Sequence, residues 1–417
     1  MTYVIAGVPF VPFHADESMQ LAASRDFGTL VHRGGPWALT TRPPYVFDSE
    51  AHLRILNGTI HRHVVGAASA AVGLREADLP PIPGWDWTRD FKANMQAGFF
   101  PRFEFLMVGR YASAAFLALA VLPAWWLGWR LWGRAGACLF VVLTILHPVV
   151  LLNGRRAMQE GSMIFFGLLA LALSVEILSG RRKRVWWVGW GTACGLALAS
   201  KHLSMVFVAA ATAMIVTAWN FLGARETVRR GLLAGLTGAT VFLALSPALW
   251  DQPWMRIQDL ARIRADLVSS IDDTDLHGSF RARLTRLVTM PFSSVPQFFE
   301  VADWLDHPVH MQVIALYSRS WLSGAPVTGF VGWGVVILAA WGAFAGIARG
   351  STDDERRVAV AWTAGWGVCA LLLLPNPLPF QRYYLPLIPL VAGLAVIGIR
   401  EAIRMLGPSG SRLPVGS

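Results

Sequence analysis

The chain has 417 residues, of which 54% are hydrophobic and only 15% charged, against about 25% charged in a typical soluble protein. Lysine and arginine number 36 against 26 acidic residues, a formal net charge of +10. With 19 tryptophans, this composition excludes a disordered chain and argues against an ordinary soluble enzyme, leaving a membrane-embedded protein.

The basic excess is almost all arginine, since Lys92, Lys183 and Lys201 are the only lysines. That bias, with abundant Ala and Gly, is the composition of a GC-rich bacterial genome. The arginines are spread between apolar runs rather than gathered on one polar segment, which fits membrane topology and not nucleic-acid binding. Cys138, Cys194 and Cys369 all lie inside apolar runs, so neither a disulfide framework nor a zinc site is indicated.

In chain order, Met1 to Phe13 is apolar but too short to span a bilayer. It lacks the basic start and small-residue cleavage site of a signal peptide, and is read as the end of a truncated first helix. Nine apolar stretches of spanning length, roughly 17–25 residues, follow at about 104–130, 135–153, 161–179, 185–200, 203–222, 231–249, 329–348, 357–374 and 383–406. Arg130/Arg134, Arg181 to Arg184, Arg225/Arg229/Arg230, Arg349/Arg356/Arg357 and Arg400/Arg404/Arg412 fall on alternate connections. The positive-inside rule puts these in the cytoplasm and faces 14–103, 154–160, 201–202, 250–328 and 375–382 outward. The two large outer loops, 14–103 and 250–328, show helical apolar spacing at 50–65 (Leu53, Leu56, Ile60, Val64) and 254–268 (Ile257, Leu260, Ile263, Leu267), the pattern of interfacial helices. The expected fold is therefore an all-α polytopic membrane protein. It has about nine full spans plus a short first one, forming a single membrane-embedded domain over 1–417.

Polar residues collect at outer helix ends. Asp16-Glu17 could act as a base with an orienting partner, could hold a divalent cation, or could be two solvated loop charges. Arg155 and Arg156 lie outside, against the positive-inside rule. Glu160 stands four residues after Arg156, the spacing of an ion pair on one helical face, and an arginine here could equally grip a phosphate. Lys201, between two apolar spans, is a functional candidate or a snorkelling lysine. Arg382 precedes Tyr383 and Tyr384 at a proline-rich outer helix end, where tyrosines also suit an interfacial belt. Asp303 and His307 are weak metal candidates, because Pro308 interrupts the helix their spacing would need. No other cofactor is indicated. Together the carboxylates and outward cations describe a cavity suited to a lipid-phosphate donor, with cations on the phosphate and a carboxylate deprotonating an acceptor hydroxyl.

The ordered motifs Asp16-Glu17, Arg42-Pro43-Pro44, Arg110 in VGRYASAAFLAL, RRAMQEGSMIFFGLLAL, GTACGLALASKHLS, SPALWDQP and FQRYYLPLIP resemble those of the dolichyl-phosphate-mannose:protein mannosyltransferases. They also resemble the bacterial aminoarabinose transferases, both being polyprenyl-phosphate-sugar-dependent enzymes of the glycosyltransferase-C superfamily. The resemblance covers most of the chain, with an arginine at 42 where relatives often carry histidine. It implies Asp16 as base or acceptor-binding carboxylate with Glu17 in support. Arg156 (or Arg155) and Glu160 would shape the site, and Lys201, Arg382 and Tyr383 would meet the carrier phosphate. The implied activity is transfer of mannose or a similar sugar from a polyprenyl-phosphate carrier to a protein, lipid or glycan hydroxyl at the outer face of a bacterial cytoplasmic membrane. A transporter or flippase of lipid-linked sugars is the alternative class, together with an inactive relative. Transporters favour repeats and mid-span polar breaks, whereas here the polar residues sit at outer helix ends.

Overall fold

A computed structural model describes the chain except residues 182, 271–278, 301–306 and 407–417. All its regular structure is helical. The N-terminal segment holds α1 (Thr2–Ala6), α2 (Ala15–Ala23) and α3 (Asp26–His32), and the rest of the first large loop forms α4 (Glu50–Leu56), α5 (Thr59–Ala71) and α6 (Phe91–Gln96). Helix α7 (Phe103–Leu119) runs into α8 (Val121–Thr144), which turns back on itself at Gly133, where φ is +70°. A Cβ on Gly128 would meet Ala137 Cα at 2.7 Å, a contact only a reversal of the chain can give. This turn separates the first two expected spans. The second is shorter than expected, because the helix ends at Thr144 and His147 starts α9 (Pro148–Arg155) with its Nδ1 accepting the Val149 N–H at 3.2 Å.

Then come α10 (Glu160–Leu178), α11 (Arg184–Ser200), α12 (Met205–Thr217), α13 (Trp219–Leu222) and α14 (Ala224–Ala244). The second large loop contributes α15 (Pro253–Ser270), α16 (Phe280–Phe292) and α17 (Pro308–Arg319), and α18 (Gly329–Arg349), α19 (Asp353–Leu373) and α20 (Leu387–Leu406) close the bundle. Among the described residues, the runs Phe103–Thr144, Glu160–Leu178 and Gly329–Arg349 are long and apolar enough to cross a membrane. The chain is a helical membrane protein. The expected interfacial helix at 254–268 is α15, but the one at 50–65 is two helices, because Asn57 and Gly58 are extended.

Helix α10 is apolar all round and buried along nearly its whole length, so it forms the centre of the bundle, with α7, α8, α11 and α12 packed on it. Close crossings use small residues: a Cβ on Gly191 of α11 would lie 2.2 Å from the Ala234 carbonyl of α14. Between α18 and α20, Cβ atoms on Gly342 and Gly398 would lie 1.9 Å from Leu394 O and 2.0 Å from Leu338 O. Such backbone contact is how apolar helices associate where no water drives them together. The first loop is knotted by buried Arg62. It pairs with Asp26 at 2.7 Å and donates to the carbonyls of Leu53 and Asn57 at 3.2 and 3.0 Å, which ties α3, α4 and α5 together. Arg42 reaches Asp251 at 2.7 Å and joins the first large loop to the start of the second.

Candidate functional site

The site is built around the start of α2. The chain enters extended at His14 (φ −135°, ψ 141°), which as N-cap accepts the Asp16 N–H on Nδ1 at 3.1 Å. The His14 N–H in turn donates to Glu17 at 3.0 Å, a capping box with histidine in the place of serine. Both carboxylates therefore sit in the first turn, where the helix dipole favours negative charge.

The two neighbours face different partners. Glu17 is wholly buried and receives Arg110 of α7 in a two-pronged pair at 2.7 and 2.8 Å, plus the Ala157 N–H at 2.9 Å. Burial works against its charge, but Arg110 outweighs it and holds the carboxyl below the ordinary range. Asp16 pairs instead with Arg382, and its side chain keeps 25% of its surface. Burial again opposes ionisation, and Arg382 overcomes it, so the carboxyl is depressed below its ordinary range.

Arg382 rides on the short helical turn Gln381–Tyr384, which follows the prolines at 375, 377 and 379. Its Nε lies 3.2 Å from Glu300, whose other oxygen is 2.5 Å from His14 Nε2. Because His14 Nδ1 is already an acceptor, Nε2 carries the hydrogen and donates to Glu300. Glu300 is held below the carboxylate range despite burial, by Arg382 and His14. Asp16, Arg382, Glu300 and His14 thus form one closed circuit. The Tyr383 ring lies 5.7 Å from the Arg382 guanidinium and stacks on Phe380.

Beside this circuit Lys201 pairs with Glu160. Lys201 sits on an extended residue that ends α11, and Glu160 opens α10, so both are helix-end residues as their sequence positions imply. The expected pairing of Glu160 with Arg156 does not form. Arg156 is extended (φ −69°, ψ 153°), so no helix runs from 156 to 160 and the four-residue spacing does not put the two on one face. Arg156 donates instead to Pro12 O at 3.1 Å and Phe298 O at 2.7 Å, tying the segment before Asp16 to the segment before Glu300. Its burial lowers it to about 10, with Glu17 and Glu300 opposing. Arg155 is buried deeper, donating to the carbonyls of Tyr3, Val4 and Leu322 and to the Tyr317 hydroxyl at 2.5–3.0 Å. Its donors are spent on protein.

Of the expected site residues, Asp16, Arg382 and Tyr383 therefore meet, Glu160 and Lys201 pair next to them, and Glu17, Arg155 and Arg156 hold the frame. Of the metal candidates, Asp303 lies outside the described residues, and His307 caps α17 by accepting the His310 N–H, with its ring 4.3 Å from Phe91. Among the described residues, no three His, Cys, Asp or Glu side chains are grouped to hold a metal. Sequence reasoning passed over Glu300 and His14 as site residues. Glu300 stands in irregular chain with no periodicity to mark it, whereas His14, three residues before Glu17, carried the capping spacing.

Residues 82–261 match the family model described as dolichyl-phosphate-mannose-protein mannosyltransferase. In fold the chain is similar to the archaeal oligosaccharyltransferase AglB from Archaeoglobus fulgidus, solved with an inhibitory peptide and a dolichol-phosphate. The TM-score is 0.52 at 10% identity, over 97% of this chain and 50% of that one. It therefore spans about half the length of AglB. ArnT from Cupriavidus metallidurans, solved apo and bound to undecaprenyl phosphate, aligns with TM-score 0.40 at 16% identity, over 97% of this chain and 76% of that one. No curated protein sequence matches.

Proposed function

We propose that this chain, a glycosyltransferase-C fold with a mannosyltransferase-family region at 82–261, moves a sugar from a polyprenyl-phosphate carrier to an acceptor hydroxyl at the outer membrane face. The observation that carries this reading is the pairing of a partly open carboxylate, Asp16, with a deeply set guanidinium, Arg382, where apolar helices end. In the reaction the acceptor oxygen bonds to the anomeric carbon and its proton goes to Asp16. The bond from that carbon to the phosphate oxygen breaks, and the phosphate leaves with the electron pair. Arg382 and Lys201 lie where they can receive that charge, and Glu17, Arg155 and Arg156 keep the frame rigid.

Two further features support a lipid donor. AglB, which this chain resembles in fold, was solved in complex with a dolichol-phosphate. An apolar groove of about 520 Å³, lined by Trp187, Cys194, Leu198, Val216 and Phe242, runs between α11, α12 and α14. Its Phe242 ring is 6.3 Å from His202, the neighbour of Lys201, so a prenyl tail in the groove would end beside that cation.

The test is reconstitution in vesicles with radiolabelled polyprenyl-phosphate-mannose and a membrane extract. Label should pass to an acceptor, and Asp16→Asn should reduce transfer by roughly 10²–10⁴-fold, the usual share of a general base. Label that crosses the bilayer while still on its carrier would identify a flippase instead.

A further inference from the structure

Both cations nearest the presumed chemistry are already bound to carboxylates of this chain. Arg382 holds Asp16 and Glu300, and Lys201 holds Glu160. The two carboxylates on Arg382 are not equivalent. Glu300 is 9% exposed and is fixed from several sides. His14 grips it, and the backbone three residues earlier is clipped to the Arg382 turn by a reciprocal amide pair: the Gln297 N–H donates to the Gln381 side chain at 2.7 Å, and the Gln381 N–H to the Gln297 side chain at 2.8 Å. Arg156 fastens the same segment through Phe298 O. Among the described residues, nothing comparable holds the Asp16 side chain, which is the more exposed of the two.

We propose that the carrier phosphate and the Asp16 carboxylate compete for Arg382, so that donor binding releases Asp16 to act as base, while Glu300, steadied by His14, keeps the guanidinium in position during the exchange. This rests on the reading of Asp16 and Arg382 given above and extends it to the order of events. A carboxylate paired with a guanidinium is a poor proton acceptor, since the pair favours its ionised form. Once a phosphate takes the guanidinium, Asp16 loses that partner and becomes more basic as an acceptor hydroxyl has to be deprotonated. The donor therefore binds before the base is competent. Displacing Asp16 costs part of the donor's affinity, as any occupied competing state does.

The experiment is calorimetric titration of the full chain in nanodiscs with farnesyl phosphate, a short prenyl monophosphate. Asp16→Asn removes the competing charge and should lower Kd by about tenfold. In an Arg382→Ala background, the same substitution should change Kd little. Glu300→Gln should raise Kd, the opposite sign, because a positioning group is lost; two carboxylates that merely fill space or carry fold stability would not move binding in opposite directions. If wild type binds the probe and Asp16→Asn binds it no better, competition is wrong while the carrier-phosphate reading survives. Tightening by Glu300→Gln equal to that by Asp16→Asn would remove the positioning role of Glu300. Should neither wild type nor Asp16→Asn bind at any concentration, the carrier-phosphate reading fails and takes the competition with it. Thermal unfolding of each variant checks its fold, and Asp16→Ser replaces Asp16→Asn if the latter does not insert.

Discussion

At the residue scale, two adjacent acids end up in different trades. The sequence makes the pair Asp16-Glu17 conspicuous but cannot divide the roles, because the partners that decide lie 366 and 93 residues away at Arg382 and Arg110. Glu17→Gln should destabilise the protein by about 3–5 kcal/mol, since Arg110, buried in α7, keeps its charge and loses its counter-ion. Transfer per folded molecule should survive; thermal unfolding beside an activity assay separates the two, and an unchanged melting temperature would refute the ion-pair account. Acid should act in two stages. Burial drops His61 and His63 of α5 from 6.5 to about 4, so between these values the unfolded chain binds protons that the folded chain refuses, and stability declines as pH falls. Glu17 and Asp26 are depressed below their ordinary 4.5 and 3.8. Their stabilisation is complete above those values and is lost as pH drops through the lower folded ones. Melting temperature followed from pH 7.5 to 3 should show both stages, and His61→Asn should flatten the upper one; an unaltered slope would sink its assignment to His61.

At the element scale, apolar length located the helices well, and local chemistry defeated it at their ends. The runs around α10, α11 and α18 agree with the structure to a residue or so. Elsewhere a cap or a break intervenes: His147 starts a new helix inside an expected span, and Asn57-Gly58 divides an expected interfacial helix. The Arg156–Glu160 pairing failed for the same reason, a helical spacing counted across extended chain. Glycines carry the packing that periodicity cannot show. On α18, a Cβ at Gly342 would lie 1.9 Å from the Leu394 carbonyl, while Gly334 has open space around it. Gly342→Ala should lower the melting temperature in detergent markedly and Gly334→Ala should not. Equal effects would mean that α18 and α20 are not in backbone contact.

At the scale of the whole molecule, the distribution of arginine predicts a side for every connection. In a cysteine-free background, Trp37→Cys in the first large loop should react with a membrane-impermeant maleimide added to intact cells, and Ser351→Cys between α18 and α19 only after permeabilisation. Both positions are exposed, so the reverse pattern would invert the topology and put Asp16 in the cytoplasm. The motif order, from Asp16-Glu17 to FQRYYLPLIP, anticipated the gathering of distant segments at one place. It did not anticipate Glu300 or His14, whose places follow from the reciprocal Gln297–Gln381 clip and a helix cap.

The long span of that circuit has a consequence for how the protein is made. Arg382 leaves the ribosome 366 residues after Asp16. Arg155 likewise waits for Tyr317 and Leu322 before its donors are satisfied. Until then the segment carrying Asp16 lacks the contacts that shape it, and contacts of such separation form late. A chain arrested before Arg382 could not present that carboxylate and guanidinium together. Assembly of the site thus waits on the segment that carries Arg382.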